Sequence, residues 1–83
     1  MTEANKKKIQ SKMVKWLIMA IDTFQSYNTG LSDETLGWKS IGDSSVVGRL
    51  RSGGDVTTKK YEDLRDFLVS PPQGFLPLKT KEN

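Results

Sequence analysis

The chain has 83 residues, 35% hydrophobic and 28% charged, which allows one small domain whose limited core must be packed efficiently. It contains neither cysteine nor histidine, so disulfides, thiolate metal sites, zinc fingers and histidine-based triads are excluded. The formal net charge is only +3, so its placement matters more than its sum.

Five lysines (Lys6, Lys7, Lys8, Lys12 and Lys15) stand in the first fifteen residues against Glu3 alone. Residues 31–70 carry six basic and seven acidic residues and are close to neutral. Residues 1–5 read as a disordered terminus, 6–70 as the folded domain and 71–83 as an extended tail. The Lys6-Lys7-Lys8 run is a possible basic arm, although such a run is more often a solvated terminus.

From Lys6 to about Tyr27 the pattern predicts one long helix. Ile9, Met13, Leu17, Ala20, Ile21 and Phe24 recur at spacings of three and four, the mark of a buried stripe. Val14, Trp16 and Ile18 widen the apolar surface, so this helix is expected to be covered on more than one side. Its longest apolar run, WLIMAI at 16–21, is too short to span a bilayer. No small-residue cleavage site follows, so a cytoplasmic location is expected. YNTG at 27–30 ends the helix.

Ser32 predicts an N-cap, with Asp33 and Glu34 in a favourable first turn. A short helix over Asp33–Ser40 is anchored by Leu36. Gly37 inside it costs about 1 kcal/mol relative to alanine, which implies a close crossing that excludes a side chain. Gly42 marks a turn and Ile41 fills it. Asp43 is expected to cap a third helix over Ser44–Ser52, stopped by Gly53 and Gly54. Val46, Val47 and Leu50 are its apolar positions, and Ser44, Ser45, Gly48, Arg49 and Ser52 lie along its outer side. Thr57 or Thr58 caps a fourth helix ending near Val69, with Tyr61, Leu64, Phe67 and Leu68 inward. Pro71 and Pro72 stop it. The tail segment GFLPL at 74–78 is expected to pack back on the domain or to lie at a dimer seam. Trp16 and Trp38 are expected in the core.

A short helix, a glycine turn and a second short helix describe a helix-turn-helix. Its outer face of small polar groups, one arginine and a glycine suits close approach to a major groove. LSDETLGWKSIGDSSVVGRLRSGG, followed by TTKKYEDLRDFL, resembles the lambda-repressor-like or Cro-like helix-turn-helix DNA-binding domains. The family phrase "stVsrLesG" here reads SSVVGRLRSG. The resemblance covers about residues 31–69 and implies an all-α domain of four helices. It makes Ser44, Ser45 and Arg49 base-contacting candidates. It makes Lys39, Arg51, Thr57, Thr58, Lys59 and Lys60 phosphate-contacting candidates.

The expected function is that of a sequence-specific transcriptional regulator of phage or bacterial type. It would bind double-stranded DNA as a homodimer and be nucleoid-associated in the cytoplasm. No cofactor, metal, membrane or small-molecule substrate is expected. Enzyme activity is not expected either. The clustered acids Glu62, Asp63 and Asp66 are explained by solvation and by pairing with Lys59 or Arg65, and no phosphate loop is present. The alternative is a helical protein-binding module, favoured by the near-neutral 31–70 region and by the acids at 33 and 34.

Overall fold

The computed structural model describes residues 11–54 and 56–78. The expectations placed on residues 1–10, Asp55 and 79–83, including the Lys6-Lys7-Lys8 arm, lie outside them. The described chain is all-α: α1 Ser11–Tyr27, α2 Asp33–Ile41, α3 Val46–Arg51 and α4 Thr58–Val69, with no strand among the described residues.

Each helix contributes its apolar stripe to one core. Leu17, Ile21 and Phe24 of α1 are fully buried with Leu36 of α2, Val46 and Val47 of α3, and Leu64 and Leu68 of α4. Leu50 and Val56 close the centre. Helix α1 packs against α3 and α4, and α2 packs against the same two. Complete burial of one aliphatic side chain contributes roughly 1.5–3 kcal/mol, so this shared centre holds three short helices that would not persist alone against the longer α1.

Local chemistry sets the boundaries. The Ser32 hydroxyl accepts the N–H of Thr35 at 3.1 Å, and that of Thr57 accepts the N–H of Lys60 at 3.2 Å. Helix α2 runs one residue beyond its expected end and closes at Gly42, whose φ of 72° is left-handed. Helix α3 is shorter than expected. Ser44 and Ser45 belong to the turn before it, because the Asp43 carboxylate accepts the Ser45 N–H at 3.0 Å and the Ser45 hydroxyl at 2.8 Å. Asp43 therefore organises the turn, while Ser45 occupies the cap position without a side-chain cap bond. At the other end Gly54 N–H bonds to Arg49 O and Gly53 N–H to Leu50 O, at 2.8 and 3.1 Å. That pair is a Schellman ending, with Gly53 at φ 90°.

Gly37 is explained by the turn rather than by a helix crossing. A Cβ built there would collide with the backbone oxygen of Asp43 and would lie 3.1 Å from Val46 Cγ1.

The tail packs back on the domain. Phe75 lies 5.5 Å from Phe67 and 6.0 Å from Phe24, ring centre to ring centre, which makes an aromatic triad. The Asn28 amide then clasps the backbone of Leu76. Its Nδ2 donates to Leu76 O at 3.0 Å and its Oδ1 accepts from Leu76 N–H at 2.8 Å.

The tryptophans depart from expectation. Trp16 is 42% and Trp38 64% exposed, so neither is a core residue. Trp16 leans on Tyr61 at 6.5 Å, and the Arg65 guanidinium lies 5.9 Å from the Tyr61 ring centre. Val14 and Ile18 are half-buried against the core as expected, whereas Met19 is exposed.

Two glycines give a paired test. Gly37→Ala should destabilise by about 1–3 kcal/mol through overpacking against rigid backbone. Gly48→Ala, whose Cβ meets nothing within 4 Å, should stabilise by roughly 0.5–1 kcal/mol. Urea unfolding of both variants reads the two signs. The clasp is tested by Asn28→Ala, which should cost roughly 1–2 kcal/mol and expose the bond between Phe75 and Leu76 to limited chymotryptic proteolysis.

Candidate nucleic-acid interface

The outward side of α3 follows from what its inward side must do. Val46, Val47 and Leu50 are all turned into the core. Ser44, Ser45, Gly48, Arg49, Arg51 and Ser52 of the turn and helix are exposed. A surface groove runs beside them, lined by Ser44, Ser45, Gly48 and Arg49 on one side and by Asp33 and Glu34 of α2 on the other. Gly48 adds no side chain to this lining.

Asp43 is the electrostatic centre of the face. Its Oδ1 is filled by the two bonds from Ser45. Its Oδ2 accepts from Arg49 Nη2 at 3.0 Å and from Lys60 Nζ at 3.1 Å. Arg49 Nη1 also reaches Ser45 Oγ at 3.4 Å. The turn, α3 and α4 thus converge on one carboxylate, whose side chain is only 20% exposed. The Ser45 hydroxyl, the Lys60 ammonium and the Ser45 N–H hold its pKa down to about 2.

Arg51 is occupied elsewhere. Its Nε donates to Asp33 Oδ2 at 2.9 Å and its Nη2 pairs with Asp22 Oδ1 at 2.9 Å. Gln25 Oε1 accepts from the same Nη2 at 3.2 Å, and Gln25 Nε2 donates to Asp33 Oδ1 at 2.8 Å. The Arg51 and Gln25 hydrogen bonds hold the Asp33 carboxyl below its usual range, and Asp33 in turn raises the Arg51 guanidinium. This network ties α3 to the start of α2 and to α1.

The expected site residues therefore divide. Ser45, Arg49 and Lys60 are brought together around Asp43, with Ser44 beside them on the groove. Lys59 is exposed and paired with Asp63 at 3.1 Å within α4. The Thr57 hydroxyl is committed to its cap, and Thr58 begins α4 half-buried. Lys39 is exposed in the last turn of α2. Arg51 is directed by Asp22 and Asp33 toward the α1–α2 end rather than into the Arg49 cluster. Sequence reasoning missed Asp43 as a shared partner and took it only for a cap. The spacing Asp43, Ser45, Arg49 carried part of that signal, because Ser45 and Arg49 are helical neighbours four apart. Lys60 arrives from a different helix and left no local trace.

Among the described residues no group of acids could hold a metal ion, and no helix is long and apolar enough to cross a membrane. Comparison with known proteins finds no family model, no curated protein and no solved structure that matches the chain.

The Asp43 cluster predicts a pH signature. The carboxyl has an ordinary value of 3.8 and is depressed to about 2 when folded. A depressed carboxyl contributes stability above its unfolded value and loses it as pH falls through the folded one. The stability difference between the wild type and Asp43→Asn should thus be full at neutral pH. It should shrink from about pH 4 and be lost as pH falls through about 2. Urea midpoints measured across that range check it, and a difference independent of pH would remove the ionised carboxylate from the account.

Proposed function

We propose that this protein binds double-stranded DNA in a sequence-specific manner through the face of Ser44, Ser45, Gly48 and Arg49, and that it acts as a transcriptional regulator of helix-turn-helix type. One observation carries the reading. The three apolar residues of α3 are spent on the core, which leaves beside the groove a rigid, low face of hydroxyls, a glycine and one arginine. Short polar groups around an arginine fork suit base edges, and guanine offers that fork two acceptors at O6 and N7. Lys39 and Lys59 lie on exposed positions of the flanking helices and would set register on phosphates.

A module this small covers one half-site, so the reading includes a homodimer on two half-sites. The resemblance of residues 31–69 to repressor-type domains supports the same assignment, as does the order α2, turn, α3. Neither catalysis nor a cofactor is part of it.

A second reading has its own observation. Asp33 and Glu34 line the same groove as Arg49, and acid there disfavours a phosphate backbone while suiting a basic segment of a protein partner. Duplex binding over a salt series separates the two. DNA binding should weaken steeply as salt rises, with a slope near −0.9 per phosphate neutralised. A protein-binding module should show no duplex binding even at low salt.

Selection of bound sequences from a random duplex pool would supply the site. On it, Arg49→Ala should cost about 1–3 kcal/mol of binding and relax preference at one base pair, with the thermal midpoint nearly unchanged. Equal affinity of variant and wild type in a mobility-shift titration would take Arg49 out of base recognition.

A further inference from the structure

We propose that Asp43 is a specificity-determining residue of this face: a fixed internal anion that withholds Arg49 and Lys60 from sequence-independent phosphate contact. The inference rests on the DNA-binding reading and deepens it, by saying how that face would prefer bases to backbone.

Two bonds from Ser45 fill Asp43 Oδ1, so the carboxylate is anchored to the backbone of the turn and does not travel with its cations. Arg49 from α3 and Lys60 from α4 then meet on the other oxygen, at 3.0 and 3.1 Å. Arg49 lines the groove, and both cations are answered before any ligand arrives. A phosphate that approached them would bring a second anion against Asp43 in a partly desolvated corner, where like charges repel more strongly than in bulk water. A guanine edge is neutral. Arg49 has five N–H donors, and its contacts with Asp43 and Ser45 leave donors for O6 and N7 without a second anion entering the corner. Asp43 therefore penalises backbone contact and tolerates base contact.

The mechanism separates two variants by charge and shape. Asp43→Asn keeps a carbonyl oxygen for Ser45 and removes the anion. On random-sequence duplex it should bind more tightly than the wild type. Two freed cations should also steepen the slope of log K against log salt by up to about 1.8, so affinity falls roughly tenfold further between 50 and 200 mM salt. Adding Arg49→Gln or Lys60→Gln to Asp43→Asn should each remove about 0.9 of that slope. The same two changes with Asp43 intact should leave the non-specific slope unmoved, a result that a merely structural role for Asp43 does not predict.

Linear polyphosphate serves as a second probe, because it offers the anion without bases. An unchanged slope for Asp43→Asn on both probes overturns the proposal. So does a fall in slope for Arg49→Gln or Lys60→Gln with Asp43 intact, and these two variants decide the matter if Asp43→Asn fails to fold. If no form binds duplex, the DNA-binding reading fails and specificity toward bases fails with it. The shielding role then stands or falls on whether Asp43→Asn binds polyphosphate more tightly than the wild type.

Discussion

The backbone oxygen of Asp43 lies against the α-carbon of Gly37, and the arrangement of the domain depends on that approach. The gap admits no Cβ, so the turn after α2 folds tightly back on the helix it leaves. Val46, at the start of α3, then enters the same core as Leu36. The penalty of a glycine inside α2, about 1 kcal/mol, is offset by the burial of Val46, Val47 and Leu50 that the close turn permits. A looser turn would lift α3 from α1 and α2 and would dissolve the exposed face opposite its valines.

Electrostatics then repeats the same economy at the surface. Exposed ion pairs contribute little each, yet those on α3 are linked to backbone and to three other helices. Arg51 joins α3 to α1 and α2 through Asp22, Asp33 and Gln25, and Arg49 with Lys60 joins α3 to α4 through Asp43. A six-residue helix is thereby held at both ends by charges and along one side by the core. Rigidity of this kind is what a reading surface needs, because groups held in place lose little entropy when they meet a ligand. The same pairs leave the face electrically quieter than its arginines and lysines suggest.

The long first helix and the tail meet through Phe24 and Asn28. Phe24, Phe67 and Phe75 seal the base of the core, and Asn28 supplies to Leu76 the donor and acceptor that a neighbouring strand would offer. Trp16 and Met19 remain on the surface of α1. Hydrophobicity alone does not bury a side chain, and the stripe Leu17, Ile21 and Phe24 already saturates the face of α1 that the other helices reach.

Much of the architecture was legible in the residues themselves. Spacings of three and four, Ser32 and Thr57 at helix starts, glycines at helix ends and paired prolines after α4 are local signals, and local backbone preferences decide them. The inward turn of Val47 and Leu50, and hence the outward turn of Arg49, follows from the same periodicity. Three features were decided only by tertiary structure: the contact of Gly37 with Asp43, the meeting of Arg49 and Lys60 on one carboxylate, and the exposure of Trp16 and Trp38. Each depends on which distant surfaces happen to face one another. A linear pattern records the preference of a residue for burial or for a partner, whereas the three-dimensional packing alone determines whether that preference is met and by whom.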